Sequence, residues 1–322
     1  METAVFRWQH TQNGEVRILR GYAASPYLII PERIAGRPVA EIADYCFAPD
    51  GHTPQESYLT GDCEQSGIRL LAGGSLQGIV LPDTVRKIGS LAFYDCSSLE
   101  EITFSGALQT VGSDVFMNCR RLHKMTVRAS LQAVTGLKQL LTQKKEDVEV
   151  CFMPEGELAQ AVFFYPEYFE GYDEIGPAHI FALNLTGEGF RARQCFKDGV
   201  VDVAAYDRIF EQAKAEESRE TLCTMAADRL CYPALLGQEA EKRYREYLGQ
   251  EQIYYAKQLV QSRKLQQLQY LIRQEIFGTQ TLEQCIAWAS QAHWPEGAAA
   301  LLQLQTQHAV QRVRERYAFD DF

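Results

Sequence analysis

Apolar side chains recur at a fixed interval of 23 residues between positions 81 and 127. Two copies align without gaps, and six positions match: Ile88 with Val111, Phe93 with Phe116, Cys96 with Cys119, Leu99 with Leu122, Ile102 with Met125, and Phe104 with Val127. A period of this length is typical of solenoids, in which each unit buries its apolar face against the next unit. The pattern therefore predicts a stack of repeats with one shared core.

Each copy divides into a strand and a turn. Ile102 and Phe104 lie two residues apart, which is the spacing of side chains on one face of a strand. Ile88 and the Ala92-Phe93 pair belong to a turn and a short helical segment that close the opposite wall. Each repeat is therefore predicted to contribute one short strand whose alternate side chains point into the solenoid.

The same register extends the array in both directions. The additional repeat positions are Ile42, Phe47, Leu70, Leu76, Ile79, Leu81, Leu131, Val134, Val148 and Val150. Cys46, beside Phe47, is also predicted to be a repeat position. Leu70 replaces the phenylalanine of its copy, and the last copy lacks both the phenylalanine and the cysteine, as expected of a terminal repeat. We therefore predict a solenoid over residues 34–151.

The motif LPxxVxxIGxxAFxxCxxLxxIxF, at residues 81–104, resembles the bacterial BspA-type leucine-rich repeat. Residues 34–42 resemble the segment that opens such arrays. The resemblance implies a leucine-rich-repeat solenoid, and many members of the family are surface adhesins. The N-terminus here has no charged region followed by an apolar run, so an adhesin would need a non-standard export route.

The segments on either side of the array have their own patterns. Residues 16–22 alternate like a strand after the Asn13-Gly14 turn, and residues 27–30 form a second candidate strand, so residues 1–33 are predicted to be a β cap. Residues 204–322 are predicted to be helical, with Asp202 as the first N-cap.

A weaker repeat, with an offset of 30 residues, occurs within the helical part. The matches are Ala256, Leu259, Leu268, Leu271 and Ile272 with Ile286, Ala289, Ala298, Leu301 and Leu302. Helix pairs at this period resemble ankyrin-like stacking, and a plain helical bundle is the alternative. The predicted fold class is thus α+β multidomain: a short solenoid, a mixed connecting region over residues 152–203, and an all-helical C-terminal domain.

Composition limits the compartment and the class of partner. The formal net charge is −10, which argues against nucleic acid and anionic membranes as partners. Nine cysteines, without a CxxC pair, are expected to be buried thiols of a cytoplasmic protein. Motifs of nucleotide-binding proteins, zinc proteases and serine hydrolases are absent from the sequence, so we expect neither catalysis nor a cofactor.

Two regions are candidate binding surfaces for a protein partner. On the concave side of the array, the outward strand positions are Glu101, Thr103, Lys124, Thr126 and Arg128. Lys124 and Arg128, with Arg120 and Arg121, could bind an acidic partner. A solvated face is the favoured interpretation, because Glu100 and Glu101 lie one repeat away.

The connecting region is rich in aromatic and acidic residues. Four of its rings, Tyr165, Tyr168, Phe169 and Tyr172, are candidate anchors of a binding loop. A linker packed onto its neighbours is one alternative. A second is an enzyme or metal site within residues 163–195, using ligands from the set Glu170, Asp173, Glu174 and His179 or Cys195 as a nucleophile beside His179.

The sequence therefore predicts a non-catalytic protein-interaction or scaffold protein. The enzyme or metal-binding protein and the exported adhesin remain the alternatives.

Overall fold

A computed structural model describes residues 4–51, 53–62, 67–154, 158–176 and 180–318. The chain forms two compact units, Met1–Glu217 and Ser218–Phe322. The boundary lies after the first long helix of the C-terminal part, 14 residues beyond the expected start of the helical domain at 204. That helix belongs to the first unit because its buried residues, Tyr206 among them, pack on the strands that precede it.

The first unit contains most of the strands. In chain order they are β1 (Val5–His10), β2 (Val16–Ala23), β3 (Tyr27–Ile29), β4 (Arg33–Ile34), β5 (Arg37–Ile42), β6 (Tyr58–Leu59), β7 (Arg69–Leu70), β8 (Gly78–Val80), β9 (Lys87–Ile88), β10 (Glu101–Ser105), β11 (Thr110–Val111), β12 (Lys124–Arg128), β13 (Val148–Phe152), β14 (Ala161–Tyr165), β15 (Phe169–Ile175), β16 (Ile180–Thr186), β17 (Phe196–Lys197) and β18 (Val200–Val201). Its helices are α1 (Leu137–Leu141), α2 (Gly189–Ala192) and α3 (Val203–Glu216).

Two sheets form the walls of the solenoid. One has six strands in the order β14-β13-β12-β10-β8-β3, and the other runs β11-β9-β5-β2-β1-β6 with β4 and β7 at its sides. In the first sheet β10 pairs in parallel with β12, which places Ile102 opposite Met125 and Phe104 opposite Val127. All four side chains are buried. The predicted 23-residue solenoid is confirmed.

A column of phenylalanine rings runs through the core. Phe93 stacks on Phe47 with ring centroids 5.2 Å apart and on Phe116 at 5.7 Å. Each ring packs on the ring of the adjacent turn, because the repeat returns the chain to the same position. Such offset stacking adds to the stabilisation that burial of the rings provides.

Buried thiols satisfy backbone carbonyls beside this column. The Sγ atom of Cys96 donates to the carbonyl of Phe47 at 3.3 Å, and that of Cys119 donates to the carbonyl of Phe93 at 2.9 Å. Burial raises the pKa of Cys46, and the neighbouring Cys119 together with burial raises that of Cys96. Cys46 is buried but is not a repeat position, because it precedes its phenylalanine whereas Cys96 follows Phe93 by three residues.

Phe47 and Phe93 are 46 residues apart, which is twice the repeat length, but they lie in adjacent turns of the solenoid. Strand β5 pairs directly with β9, with Ile42 opposite Ile88. Residues 48–72 leave the repeat path, and β6 and β7 within them pair with β1 and β2. The predicted repeat position Leu70 is therefore wrong, since its side chain is exposed. The positions Leu76, Ile79 and Leu81 are buried as predicted.

The last turn is two residues longer than predicted. Met125 pairs with Val150 and Val127 with Phe152, an offset of 25. Helix α1 occupies this turn, with Gln139 and Gln143 accepting from the backbone N–H groups of β11 and the segment after it. An even shift keeps the inward face inward because side chains alternate with a period of two, so Val148 and Val150 are still buried. Val134 is exposed, which corrects its predicted place in the array.

The predicted N-terminal hairpin is present, but the array begins earlier than predicted. β1 and β2 form an antiparallel hairpin around Gly14, whose φ is +74°. β2 also pairs in parallel with β5 and so continues the solenoid wall. The second candidate strand, β3, pairs with β8 and is the first strand of the six-stranded sheet. The solenoid wall therefore starts before residue 34.

The second unit is helical, as predicted. Its helices are α4 (Arg219–Cys231), α5 (Gln238–Gln261), α6 (Leu265–Arg273), α7 (Thr279–Gln291) and α8 (Pro295–Ala318). The turns after α5 and α7 are alike at the predicted offset of 30. Arg263 and His293 both have positive φ. The residue after each of them donates its backbone N–H to a carbonyl of the preceding helix, Lys264 to Leu259 and Trp294 to Ala289. The likeness to ankyrin stacking stays a prediction.

Asp202 caps α3 by accepting from the N–H of Ala205 at 2.9 Å, as predicted. Among the described residues, the helices include none with the length and apolar character needed to cross a bilayer.

The ring column predicts the largest cost of truncation at its centre. We expect Phe93→Ala to lower the free energy of unfolding by about 3–5 kcal/mol, because it removes a buried ring with partners on both sides. Phe116→Ala should cost less, and the half-exposed Met117→Ala less than about 0.5 kcal/mol. Urea unfolding followed by circular dichroism measures these values. A loss below about 1 kcal/mol for Phe93→Ala contradicts a shared core.

Candidate functional site

The outward face of the six-stranded sheet carries the predicted array positions in register. Glu101 lies opposite Lys124, and Lys124 opposite Glu149. The next row contains Thr103 and Thr126. Neighbouring strands lie about 4.8 Å apart, so the three charges alternate in sign along the sheet. The face is therefore mixed in charge, and opposite charges in adjacent strands attract each other.

The predicted basic cluster is largely neutralised within the array. Arg121 forms an ion pair with Glu100, one turn away. Arg128 forms an ion pair with Asp83 at 2.8 Å and donates to the carbonyl of Leu81. Arg128 thus joins two turns of the solenoid and is poorly placed to meet a partner.

Two of the four predicted aromatic anchors are core residues. Tyr165 is fully buried on β14, where its ring meets that of Tyr206 edge-on at 5.6 Å. Tyr168 is 5% exposed and packs against Phe190. The prediction that these two rings are exposed anchors is wrong. Tyr165 lies on β14, the last strand of the six-stranded sheet, and its side chain enters the core. Tyr168 follows β14 and is covered by Phe190 and Arg193.

A buried guanidinium holds this region together. Arg193 is 1% exposed and lies 5.2 Å from the ring of Tyr168. It donates to five backbone carbonyls, of Lys144 at 2.7 Å, Pro166 at 2.5 Å, Gly189 at 2.8 Å, Glu146 at 2.8 Å and Lys145 at 3.4 Å. Burial lowers the pKa of Arg193 to about 10, so it stays charged at neutral pH. These bonds connect the end of the solenoid to the segment that carries β15 and β16, as in the packed-linker alternative.

The other two predicted anchors stand on an exposed hairpin. β15 and β16 pair antiparallel over seven residues each. Phe169 is 63% exposed and Tyr172 is 70% exposed. Leu183, which lies directly opposite Tyr172, is 52% exposed. Tyr172 and Leu183, as cross-strand neighbours, form one contiguous apolar patch, whereas Phe169, an odd number of residues from Tyr172, lies on the opposite face of the hairpin.

Acidic side chains flank the patch on the same face. The side chains of Glu170, Tyr172 and Glu174 lie on the same face of β15. On β16, Leu185 lies opposite Glu170 and Leu183 lies opposite Tyr172. Glu170 forms an ion pair with Lys145 at the base of the hairpin, and the Tyr168 N–H donates to the Lys145 carbonyl at 3.1 Å. The patch is thus held at its base by the end of the solenoid.

Leu183 was missed in the sequence. Gly176-Pro177 separates two runs that are rich in β-formers, and such a break is a hairpin signal. Recognising it would have placed Leu183 beside Tyr172.

The metal and nucleophile alternatives gain little from the geometry. Among the residues that the structure describes, no group of three or more His, Cys, Asp and Glu side chains is placed to hold a metal ion. His179 lies outside the described residues, and so does the side chain of Asp173. Cys195 is 8% exposed and its Sγ donates to the Arg191 carbonyl at 3.4 Å. Burial raises the pKa of the Cys195 thiol to about 11, the opposite of what activation requires.

Comparison with protein families identifies the repeats. Residues 64–136 match the family described as BspA type leucine rich repeat region, with six copies. These residues are BspA-type leucine-rich repeats, as the motif at residues 81–104 predicted. No curated protein matches the chain significantly.

Three solved structures show partial similarity. A leucine-rich repeat protein from Bacteroides capillosus ATCC 29799 is 22% identical, with 37% of this chain and 75% of that chain covered and a TM-score of 0.28. A leucine rich cell surface protein from Faecalibacterium prausnitzii A2-165 is 19% identical, with coverages of 39% and 37% and a TM-score of 0.25. A leucine-rich repeat protein from T. pallidum is 18% identical, with coverages of 38% and 68% and a TM-score of 0.22.

Removal of the buried guanidinium is expected to be costly. Arg193→Ala should lower the free energy of unfolding by about 3–5 kcal/mol, because it leaves several buried carbonyls without donors. The exposed Arg208→Ala is the control, with an expected change within about 0.5 kcal/mol. Urea unfolding of both variants decides the matter, and equal losses would show that Arg193 does not hold this region together.

The thiol of Cys195 should lose its proton only at high pH, because burial raises its pKa to about 11. Its alkylation rate in the folded protein, followed by mass spectrometry, should keep rising up to about pH 11, because burial raises its pKa and disfavours the thiolate. In the urea-unfolded chain the rate should level off near pH ~8.5. A plateau below pH ~7 in the folded protein is the signature of an activated nucleophile and would restore the enzyme alternative.

Proposed function

We propose that this chain, whose residues 64–136 carry BspA-type leucine-rich repeats, is a non-catalytic interaction protein that binds a protein partner through the β15–β16 hairpin. The observation that carries the proposal is the cross-strand pair of Tyr172 and Leu183, both more than half exposed. They form an apolar surface on one face of a hairpin whose base is fixed to the solenoid, and Phe169 is exposed on the opposite face.

Physical reasons support this choice of surface. A two-stranded hairpin is marginally stable in water, so its exposed apolar side chains gain most from burial by a partner. Tyrosine is enriched among residues that dominate binding energy, because it buries a large area with little loss of rotamer freedom. Leu183 extends that area directly beside Tyr172.

The outward sheet face is the second contact region in this proposal. Glu101, Thr103, Lys124 and Thr126 are presented on a rigid ladder and remain partly accessible. Repeat proteins use such extended surfaces for recognition. Arg128 has a smaller role because Asp83 already engages it.

We propose a cytoplasmic location for the protein. Cys96 and Cys119 act as buried thiol donors to carbonyls, a role that requires the reduced form. Fractionation of cells that express the chain tests this, and recovery with the cell-surface fraction favours the adhesin instead.

Replacement of the anchor pair is expected to remove the partner without unfolding the protein. We expect Tyr172→Ala combined with Leu183→Ala to reduce partner recovery at least about tenfold, since central anchors contribute about 2 kcal/mol or more. Quantitative affinity purification from cells that express the chain measures the recovery.

Met117→Ala is the matched control, because Met117 is also about half exposed but lies on the solenoid. It should leave recovery unchanged. Equal recovery with the double variant contradicts the proposal. So does a fall in melting temperature of more than about 4 °C, since it would show that the two side chains stabilise the fold.

A further inference from the structure

Strand β15 has an edge that can accept another strand. Within the described part of the chain, β15 pairs with β16 and with no further strand. Along such an edge, backbone N–H and C=O groups point outward in a row, which is a template for pairing with an extended chain. With seven residues, β15 is longer than β3, the three-residue strand at the end of the six-stranded sheet.

The side chains along β15 fix what such a strand must carry. Glu170, Tyr172 and Glu174 lie on one face at steps of about 7 Å, the spacing of alternate residues in any strand. A residue paired with Tyr172 would have its own neighbours, two positions before and after, opposite Glu170 and Glu174. Directly opposite side chains attract when their charges are opposite and repel when they are alike.

This charge pattern disfavours a second copy of the chain as the occupant. Two β15 strands paired antiparallel around Tyr172 would place Glu170 of one opposite Glu174 of the other, at both ends. Charges on an exposed edge are a common means of preventing self-association. The same carboxylates attract a strand with cations at those two positions.

The ion pair with Lys145 leaves the Glu170 carboxylate able to bind a second cation. Its Nζ contacts Oε2 of Glu170, so within the described residues the second oxygen of that carboxylate can still accept from another cation. Glu174 is exposed at the other end of the row. A carboxylate has several acceptor positions and can serve two donors.

We propose that β15 binds an extended segment of a partner protein with the pattern basic–x–apolar–x–basic. The segment adds a third strand to the hairpin, with its apolar side chain against Tyr172 and its lysine or arginine side chains against Glu170 and Glu174. The inference rests on the proposed partner binding through the hairpin and adds the chemistry of the partner.

Two labelled peptides of equal composition test the pattern on the full-length protein. The first is Thr-Lys-Val-Leu-Val-Lys-Thr. The second, Thr-Val-Lys-Leu-Lys-Val-Thr, places both lysines on the face opposite the leucine. Fluorescence anisotropy at low salt should show binding of the first peptide roughly twofold to fivefold more tightly than the second. The first peptide places both lysines opposite glutamates, whereas the second places one lysine opposite Gly171 and the other opposite Asp173, so the first forms one additional cross-strand charge pair.

Charge-matched variants separate the local site from the net charge of the protein. Glu170→Gln with Glu174→Gln should abolish the preference for the first peptide. Glu239→Gln with Glu283→Gln makes the same change in net charge at exposed positions of the helical unit, and should retain the preference.

Absence of binding, equal affinity for both peptides, or an unchanged preference in the Glu170 and Glu174 variant overturns the inference. None of these results affects the purification experiment with Tyr172 and Leu183, which tests the proposed function separately. If that purification shows a loss of partner while the peptides show no preference, the hairpin binds a partner of different chemistry.

Discussion

The stacking of each apolar side chain on its counterpart in the next turn is the constraint on which the first unit depends. A single turn has too few neighbours to bury Phe93 or Ile102, and only the adjacent turns complete their surroundings. Cys96 and Cys119 extend the same relation to polar groups, since each thiol donates to a carbonyl of the preceding turn. The surface features follow from this stack, because a rigid ladder fixes where the sheet face and the hairpin base lie.

The sequence was informative where one physical rule acts alone. Matched positions such as Phe93 and Phe116 identified the solenoid, because the packing of equivalent side chains requires equal spacing along the chain. The cap hairpin and the Asp202 N-cap were predictable because local hydrogen bonding specifies them. The exposed positions of Phe169 and Tyr172 were consistent with their acidic neighbours, and their role in binding stays a prediction.

The features that could not be predicted are determined by contacts between segments far apart in the sequence. The excursion over residues 48–72 makes the interval from Phe47 to Phe93 two repeat lengths, so the spacing alone could not show that these rings touch. The offset of 25 at Val150 arises because helix α1 replaces a shorter turn. Tyr165 and Tyr168 share the composition of the exposed rings, and only the closing position of β14 and the buried Arg193 determine that they enter the core.

The turns of the solenoid share one core, whereas the hairpin is a separately stabilised surface element. Native-state hydrogen exchange distinguishes the two. We expect amides of β10 and β12 to exchange with one common free energy, equal to that of global unfolding of the unit, and amides of β15 and β16 to exchange with a clearly lower free energy. Independent exchange of β10 and β12, or protection of the hairpin equal to theirs, would contradict this expectation.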